Sequence, residues 1–225
     1  MISAKTILVL DTETVGLEGH VYDVGYAIAN KRGDILAERN WLVEENFTNA
    51  KRMMGAFYAG KLFTHYSKML ADAEIGFASW ADIVEAIQTA IDSHNVATIA
   101  AYNLGFDRRV MRATHKQLGY TGSICPAGLN QLDLWQFACE TRLSQTTYKN
   151  LAHQRGWVSA AGNIRTGAEY AYRFCSGDHG FIEDHTALSD ALIETDIMAS
   201  CFACKKTIPY GIINAQPWRL VNEKN

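Results

Sequence analysis

A short apolar run that ends at two acidic residues is the feature that most constrains the fold of this chain. The segment ILVLDTETVGL, Ile7 to Leu17, places Asp11 directly after four apolar residues and Glu13 two positions later. Alternate residues of a strand point to the same face, so the two carboxylates converge at the end of a buried strand. Close negative charges repel each other and are costly to desolvate. We therefore expect a hard divalent cation beside them, because Mg²⁺ and Mn²⁺ favour carboxylate oxygens.

A second apolar strand, predicted over residues 96–102, also ends at a polar turn. The sequence continues as NLGFD, and Asp107 stands at the beginning of a predicted helix. Ligands gather beyond the ends of strands in open α/β sheets, which makes Asp107 a candidate ligand. A carboxylate in the first turn of a helix also interacts favourably with the helix dipole. The pattern alone therefore leaves two roles open for Asp107, a functional ligand and a residue that stabilises the helix.

A third candidate lies in EDHTALSDALIETD, where Asp190 stands on a strongly predicted helix and His185 precedes it by five residues. Five residues turn through about 500° on an ideal helix, so the two side chains would not share a face. They converge only if His185 lies on the segment that leads into the helix. Taken alone, His185 is typical of a surface or capping histidine.

The remaining pattern predicts an α/β protein with a mixed sheet. Residues 5–11, 21–30 and 33–43 are predicted strands, and the short turn at residues 30–33 makes the last two antiparallel neighbours. Helices are predicted over 79–95, from about 107, over 132–143, 147–157, 167–175 and 185–206. With three prolines and no repeat or linker, we expect a single domain over residues 1–206, with 207–225 as a C-terminal tail packed on it or trailing from it.

Composition excludes some classes of protein. Among the 225 residues, no apolar stretch approaches the 18–20 residues that a membrane-spanning helix needs. The N-terminal residues lack the apolar core of a signal peptide, so we expect a soluble cytoplasmic protein without a membrane partner. Five cysteines do not indicate a disulfide framework. The net charge of −3 argues against tight, non-specific binding to duplex nucleic acid.

Taken together, three segments resemble the motifs of the DEDDh exonuclease superfamily, which includes the proofreading subunit of bacterial replicative polymerases, ribonuclease T and oligoribonuclease. The segments are DTETVGL (11–17), YNLGFD (102–107) and HTALSDA (185–191), with LDLW (132–135) as a weaker match. The resemblance implies a ribonuclease H-like fold. Its central mixed sheet would have five strands, the first three antiparallel, with helices on both faces.

The resemblance also implies a chemistry. It predicts a metal-dependent 3′–5′ exonuclease that releases nucleoside monophosphates from the 3′ end of single-stranded DNA with two divalent cations, Mg²⁺ or Mn²⁺. The ligands would be Asp11, Glu13, Asp107 and Asp190. By the family pattern Asp11 contacts both ions, Glu13 and Asp190 favour the ion that holds the attacking water, and Asp107 acts partly through water. His185, with an ordinary pKa near 6.5, would be the general base.

Substrate contacts follow from the same resemblance. The substrate-binding residues would be Thr12, Thr14, Leu17, Asn103 and Phe106. Neutralising four carboxylates with metal changes the charge of the rest of the protein from −3 to +1, which suits an enzyme that holds a few terminal nucleotides. The chain carries no polymerase domain, so a proofreading role would require a separate polymerase. The sequence does not indicate an oligomeric state.

The segment over residues 51–69 has two interpretations. It interleaves cations with aromatic residues, a pattern typical of single-strand binding by stacking; these residues are Lys51, Arg52, Phe57, Tyr58, Lys61, Phe63, His65, Tyr66 and Lys68. The alternative, which we favour, is an amphipathic helix pair that covers the sheet. The same segment contains GAFYAGKL, Gly55 to Leu62, which lacks the Ser or Thr of a phosphate-binding P-loop.

Two further alternatives remain at the level of function. One is the same chemistry on RNA, as in ribonuclease T or oligoribonuclease, because nothing in the sequence shows how a 2′-hydroxyl would be met. DNA is nevertheless favoured as the substrate. The other is a catalytically silent nucleic-acid-binding module on the same fold. All five catalytic positions hold chemically competent residues, which favours the enzyme.

Overall fold

A six-stranded mixed sheet forms the centre of the protein. The structure is a computed structural model that describes residues 5–56, 60, 62–204 and 207–222. Its strands are β1 (Thr6–Gly16), β2 (Gly19–Ala29), β3 (Ile35–Val43), β4 (Phe77–Ala78), β5 (Val96–Ala101) and β6 (Asn130–Asp133). The spatial order is β4-β3-β2-β1-β5-β6. The first three strands are antiparallel neighbours, whereas β4 pairs with β3, β5 with β1 and β6 with β5 in parallel.

Helices cover both faces of the sheet. In chain order they are α1 (Glu44–Phe47), α2 (Ala50–Met53), a π-helical turn (Leu62–Tyr66), α3 (Ser67–Ala71), α4 (Trp80–Ser93), α5 (Leu104–Gln117), α6 (Leu134–Thr141), α7 (Thr146–Arg155), α8 (Ala168–Ser176), α9 (Ala187–Cys204) and α10 (Arg219–Asn222). The predicted N-cap of α4 is present, since the Ser79 side chain accepts a hydrogen bond from the Asp82 N–H. Such caps satisfy an amide that the helix itself leaves unpaired.

Strand β1 separates two apolar cores because its side chains alternate between the faces of the sheet. Leu8 and Leu10 belong to a core formed with α4 and α5. Ile7 and Val9 belong to a second core formed mainly with α6 and α9. Asp11 and Glu13 continue the second set, so the alternation of β1 directs them towards the layer that contains α9.

The predicted α/β fold with a mixed central sheet and flanking helices is confirmed, and the first three strands are antiparallel as predicted. The predicted strand count of five is wrong by one, because the two-residue strand β4 adds to the free edge of β3. The predicted end of β1 at Asp11 is also wrong. The strand continues to Gly16 because β2 pairs with it throughout, whereas the last residue of β1 that pairs with β5 is Val9. Beyond that point β1 has a free edge on one side.

Several smaller boundaries differ from the predictions, and α5 begins at Leu104 rather than at about residue 107. Residues 132 and 133, predicted as the beginning of a helix, belong to β6, and α6 begins at Leu134. Helix α9 begins at Ala187 rather than at residue 185. No helix among the described residues is long and apolar enough to cross a membrane.

The C-terminal segment lies against the rest of the protein. The Val221 side chain is buried in the core beside α6 and α9. The Asn222 side chain exchanges hydrogen bonds with both backbone groups of Ile164. The Gly211 N–H donates to the carbonyl of Gln131 in β6.

The segment between β3 and β4 covers one corner of the sheet. Its buried side chains Met53, Ala56 and Tyr66 pack with Tyr22 of β2 and Leu42 of β3 in a third apolar cluster. This packing agrees with the amphipathic covering segment that we favoured, although the segment consists of short helical pieces rather than two regular helices.

Candidate metal and catalytic site

The site is built around Asp11 and Glu13 near the free edge of β1. Asp11 pairs with Gly25 of β2, and Glu13 pairs with Asp23. The register shifts directly after Glu13, at a bulge before Thr14. Bulges re-aim side chains and often lie next to functional sites. Glu13 is buried and Asp11 is partly buried, so both carboxylates lie where water is scarce.

Gly25 lets α9 approach this part of the sheet. A Cβ atom built on Gly25 would lie 2.2 Å from the backbone nitrogen of Leu188 and 2.4 Å from the carbonyl carbon of Ala187. No side chain fits there without moving the helix backbone. The absence of a side chain beside Asp11 thus brings the N-terminal turn of α9, and with it Asp190, to the carboxylates of β1.

His185 lies on the segment that leads into α9, which is the position it needs in order to converge with Asp190. Its backbone is left-handed, with φ at 56°, a conformation uncommon for a residue with a side chain. Its Nδ1 is 3.6 Å from a carboxylate oxygen of Glu183 and 3.9 Å from one of Asp190. One ligand atom each from Glu13, His185 and Asp190 lie within 4.8 Å of one another. The left-handed turn therefore brings His185 back to the face of Asp190.

Asp107 reaches the site from the other face of the sheet. β5 ends at Ala101, Asn103 takes a left-handed conformation with φ at 74°, and α5 begins at Leu104. Asp107 is buried in the first turn of α5 and accepts a 2.8 Å hydrogen bond from the Thr12 hydroxyl. It is not the N-cap of α5, because Asn103 holds that position. Asp107 lies in the first turn, where a carboxylate also interacts favourably with the helix dipole, so both roles considered for it are compatible with its position.

Two acidic residues near Asp107 were not predicted as functional. Glu194 lies one turn after Asp190 on α9, is buried, and accepts a 2.9 Å hydrogen bond from the Tyr102 N–H at the end of β5. Asp133 caps α6 by accepting a hydrogen bond from the Gln136 N–H. The four-residue spacing of Asp190 and Glu194 could have revealed the first of these, because it places both on one helix face.

The electrostatics of the site show an excess of buried negative charge. Burial raises the pKa of Asp11 well above its ordinary value, and neighbouring carboxylates raise it further, in the order Asp107, Glu194, Asp190 and Glu13. Burial likewise raises the pKa of Asp107 to about 7, although the hydrogen bond from Thr12 opposes this shift. Burial and then the charge of Asp107 raise the pKa of Glu194 well above its ordinary value. Without a cation, burial therefore favours the protonated forms of these carboxyl groups.

The residues present suit hard divalent cations. The donor set is mostly carboxylate oxygen, which Mg²⁺ and Mn²⁺ prefer, with one imidazole at its edge. Groups whose pKa is raised by burial and like charge are those whose ionised form a cation would stabilise most. The predicted ligands Asp11, Glu13, Asp107 and Asp190 therefore suit a divalent cation because they share surroundings of burial and like charge.

The predicted substrate-binding residues differ in exposure and in the contacts that they already make. Leu17 is 71% exposed, just beyond β1, and Thr14 is half-buried beside the bulge. The Thr12 hydroxyl is engaged by Asp107, so any contact with substrate would come from its backbone. Asn103 and Phe106 are half-buried at the beginning of α5. Contacts between these residues and nucleic acid stay predictions.

The described part of residues 51–69 has mainly structural contacts. Tyr66 is fully buried, and Lys68 pairs with Asp72 at 2.6 Å. His65 lies 3.9 Å from Asp184, close to His185. Phe57, Tyr58 and Lys61 lie outside the described residues, as does most of the P-loop-like stretch between Gly55 and Leu62.

Comparisons with known proteins identify no family for the chain. No family model matches it, and no curated protein matches it. One similar solved structure is exonuclease X in complex with 5′-overhanging duplex DNA. The two chains are 18% identical, with a TM-score of 0.47 over 88% of this chain and 91% of that one. A likeness this distant carries no argument about activity, which therefore rests on the residues of the site.

Proposed function

We propose that this protein is a metal-dependent 3′–5′ exonuclease that releases nucleoside monophosphates from the 3′ end of single-stranded DNA. The observation that carries the proposal is the convergence of Glu13, His185 and Asp190 within 4.8 Å, beside the partly buried Asp11. The resemblance of the three motifs to DEDDh exonucleases supports the reaction class, and the polarity and sugar preference rest on that resemblance.

The acidic residues would hold two divalent cations. Asp11, Glu13, Asp107 and Asp190 are the proposed ligands, and Glu194 adds a fifth buried carboxylate beside them. Bound cations would supply charge stabilisation for both the attacking and the departing oxygen of an in-line displacement at phosphorus. The protein itself orients the ligands through the Thr12–Asp107 hydrogen bond and the close packing of α9 on Gly25.

His185 is placed to take a proton from water. Its side chain is 33% exposed, so it borders both the acidic cluster and solvent. Carboxylate oxygens of Glu183 and Asp190 lie within 4 Å of Nδ1 and favour the protonated imidazolium that forms after transfer. An imidazole with an ordinary pKa near neutrality is suited to this exchange.

The direct test is a gel of 5′-labelled single-stranded DNA and RNA oligonucleotides incubated with the protein and Mg²⁺. Parallel reactions contain EDTA or the Asp11→Ala variant. We expect a ladder that shortens from the 3′ end, absent in both controls and faster on DNA. A faster RNA lane would instead favour the ribonuclease alternative. Metal binding by calorimetry without cleavage of either strand would favour a silent binding module.

Single substitutions test the individual roles. We expect Asp11→Ala, Glu13→Ala, Asp107→Ala and Asp190→Ala each to lower hydrolysis by at least about 1,000-fold while the fold is retained. His185→Ala should lose hydrolysis and keep metal binding. Near-normal activity in a carboxylate variant would remove that residue from the proposed ligands. Full activity in His185→Ala would overturn its assignment as general base.

A further inference from the structure

A groove rich in cations runs along the outer side of α5, away from the acidic cluster. It has a volume of about 840 Å³ and lies between α5 and the segment over residues 120–124. We call it the α5 groove, and its lining includes Gly105, Arg108, Arg109, Arg112, Lys116 and Tyr120. None of these residues belongs to the proposed ligand set.

Helical geometry places the cations on one face. At 100° per residue, Arg109, Arg112 and Lys116 fall within about 60° of one another around the axis. The opposite face of α5 holds Asp107 and Val110, both buried. A single helix thus presents a carboxylate to the site and a row of positive charges to solvent.

In the part of the chain that the structure describes, these charges have no acidic partner. Across residues 5–56, 60, 62–204 and 207–222, none of the four cations forms an ion pair with a carboxylate. The Arg108 guanidinium instead donates a hydrogen bond to the Gln131 side chain, and Arg109 lies 5.4 Å from the centre of the Phe106 ring. In a chain of net charge −3, so many neighbouring cations without carboxylates indicate an anionic partner.

We propose that the α5 groove binds the sugar–phosphate backbone of the single strand whose 3′ end occupies the acidic site. This inference rests on the proposed function and names a binding surface for it. Gly105 lines one end of the groove and lies two residues before Asp107, so one helix carries both the cations and a proposed metal ligand. Positive charge beside a negatively charged site is what a polyanion needs in order to approach it.

The dimensions set the length of strand that is held. Arg108 and Lys116 are eight residues apart, which is about 12 Å along the helix axis. At 3.4 Å per nucleotide of one strand, this span corresponds to about three or four phosphates. The Tyr120 side chain, 37% exposed at the same groove, offers an aromatic face for a base. We therefore expect affinity to rise with oligonucleotide length and to level off within a few nucleotides of the 3′ end.

Binding without catalysis is the first test. The triple variant Arg109→Ala/Arg112→Ala/Lys116→Ala is compared with Lys5→Ala/Lys31→Ala/Arg32→Ala, which removes the same charge at the opposite end of β1. Fluorescence anisotropy of a labelled 20-nucleotide oligo-dT is measured in EDTA between 20 and 200 mM salt. We expect the groove variant to bind about 10–100-fold more weakly at 100 mM salt, and the slope of log K against log salt to fall by about 2, since each phosphate contact contributes about 0.7.

Hydrolysis is the second test, and it separates the groove from the catalytic site. The groove variant should cleave a dinucleotide like the wild type, whereas its kcat/KM on the 20-mer should fall by about the loss in affinity. Equal salt slopes for the wild type and the groove variant would overturn the inference, as would an equal loss in the control variant. Displacement of the oligonucleotide by polyglutamate at equal charge concentration would instead assign the groove to an acidic protein.

The outcomes distinguish this inference from the proposed function. If the wild type binds through the groove but cleaves no strand, the groove is supported and the exonuclease proposal fails. If the wild type shortens the 20-mer and the groove variant does so equally well, the exonuclease proposal stands and the groove inference fails. Failure of the wild type to bind oligo-dT even at 20 mM salt would also overturn the groove inference.

Discussion

The Tyr66 hydroxyl donates a 2.7 Å hydrogen bond to Oδ2 of Asp23, and both side chains are fully buried. The same oxygen accepts the N–H of Ala187, the first residue of α9, at 3.0 Å. Asp23 of β2 therefore accepts a hydrogen bond from the N-terminus of α9. The unpaired amides and the dipole of the helix favour a carboxylate at that terminus. Because His185 lies two residues before Ala187, this contact connects the segment between β3 and β4 to the proposed general base.

We expect Tyr66→Phe to lower kcat on single-stranded DNA by about 10-fold, with KM and the Mg²⁺ requirement unchanged. Loss of the hydroxyl removes one of the two bonds to Asp23 and loosens the turn that carries His185. The cost in stability should be about 1 kcal/mol, typical of one buried hydrogen bond. Steady-state kinetics and thermal unfolding measure the two effects separately.

A matched control for this variant is Tyr148→Phe. Tyr148 is also fully buried, and its hydroxyl donates to the carbonyl of Arg165, in the core on the α6 side. It should lose similar stability without a change in kcat. Equal kcat values for Tyr66→Phe and Tyr148→Phe would show that Tyr66 has a structural role only.

Gly25→Ala should displace the beginning of α9. The new methyl group would lie 2.2 Å from the Leu188 nitrogen, and a backbone atom cannot yield as a flexible side chain does. We expect a loss of at least 100-fold in hydrolysis and a loss of about 1–3 kcal/mol in stability, the usual cost of overpacking. Gly76→Ala, where a new Cβ meets nothing within 4 Å, provides the comparison. Normal hydrolysis by Gly25→Ala would contradict the importance of this close approach.

Glu194→Gln should weaken metal binding. The amide oxygen retains the acceptor for the Tyr102 N–H, so the substitution removes a charge near Asp11 and little else. We expect the Mg²⁺ concentration for half-maximal hydrolysis to rise by about 10-fold, which corresponds to about 1.4 kcal/mol. Titration of activity with Mg²⁺ measures this, with the exposed Glu85→Gln as the control. An unchanged Mg²⁺ requirement would remove Glu194 from the site.

The metal-free protein should become less stable as pH rises from about 4 to about 7. Burial raises the pKa of Asp23 and Asp133 to about 6 and that of Asp107 to about 7, from 3.8. In this window the folded state holds protons that the unfolded chain has released, so ionisation favours unfolding. A tenfold difference in proton affinity amounts to about 1.4 kcal/mol, and 1 kcal/mol changes Tm by about 2–4 °C in a protein of this size.

Mg²⁺ should reverse part of this loss. A cation competes with protons for Asp107, so its stabilising effect should be larger at pH 8 than at pH 5. Tm measured in EDTA and in 10 mM Mg²⁺ at both pH values checks this, and we expect the Mg²⁺-dependent increase to be greater by at least about 3 °C at pH 8. The same increase at both pH values would show that the buried carboxylates do not bind the ion.

Several local features were predictable from sequence because they depend on neighbours along the chain. The apolar run before Asp11 indicated a buried strand, and the three-residue link over residues 30–32 indicated an antiparallel hairpin. Helix α4 begins and ends close to the predicted residues because its apolar spacing and Ser79 cap are local signals. The five-residue spacing of His185 and Asp190 also indicated that the two side chains could converge only if the histidine lay on the segment that leads into the helix.

Other features depend on which surfaces meet. Glu194 shares a helix face with Asp190, but the sequence does not show that this face contacts the end of β5. In the sequence, Asp23 is one polar residue in an apolar strand. Only the pairing of β2 with β1 places it next to the beginning of α9. In the sequence, the charges of α5 are typical of an ordinary solvated helix face. Only the tertiary structure shows that the segment over residues 120–124 closes a groove against α5.

The sequence by itself determined β1, β2, β3 and β5, most helices and the five candidate residues that resemble the DEDDh motifs, because periodicity, capping and motif spacing are encoded within short stretches. The tertiary structure alone decided that α9 lies against Gly25, that Glu194 joins the acidic cluster and that Tyr66 connects a covering segment to His185. These relationships join residues up to 183 positions apart in the numbering, such as Asp11 and Glu194. They arise from burial and close packing between elements, which no local pattern records.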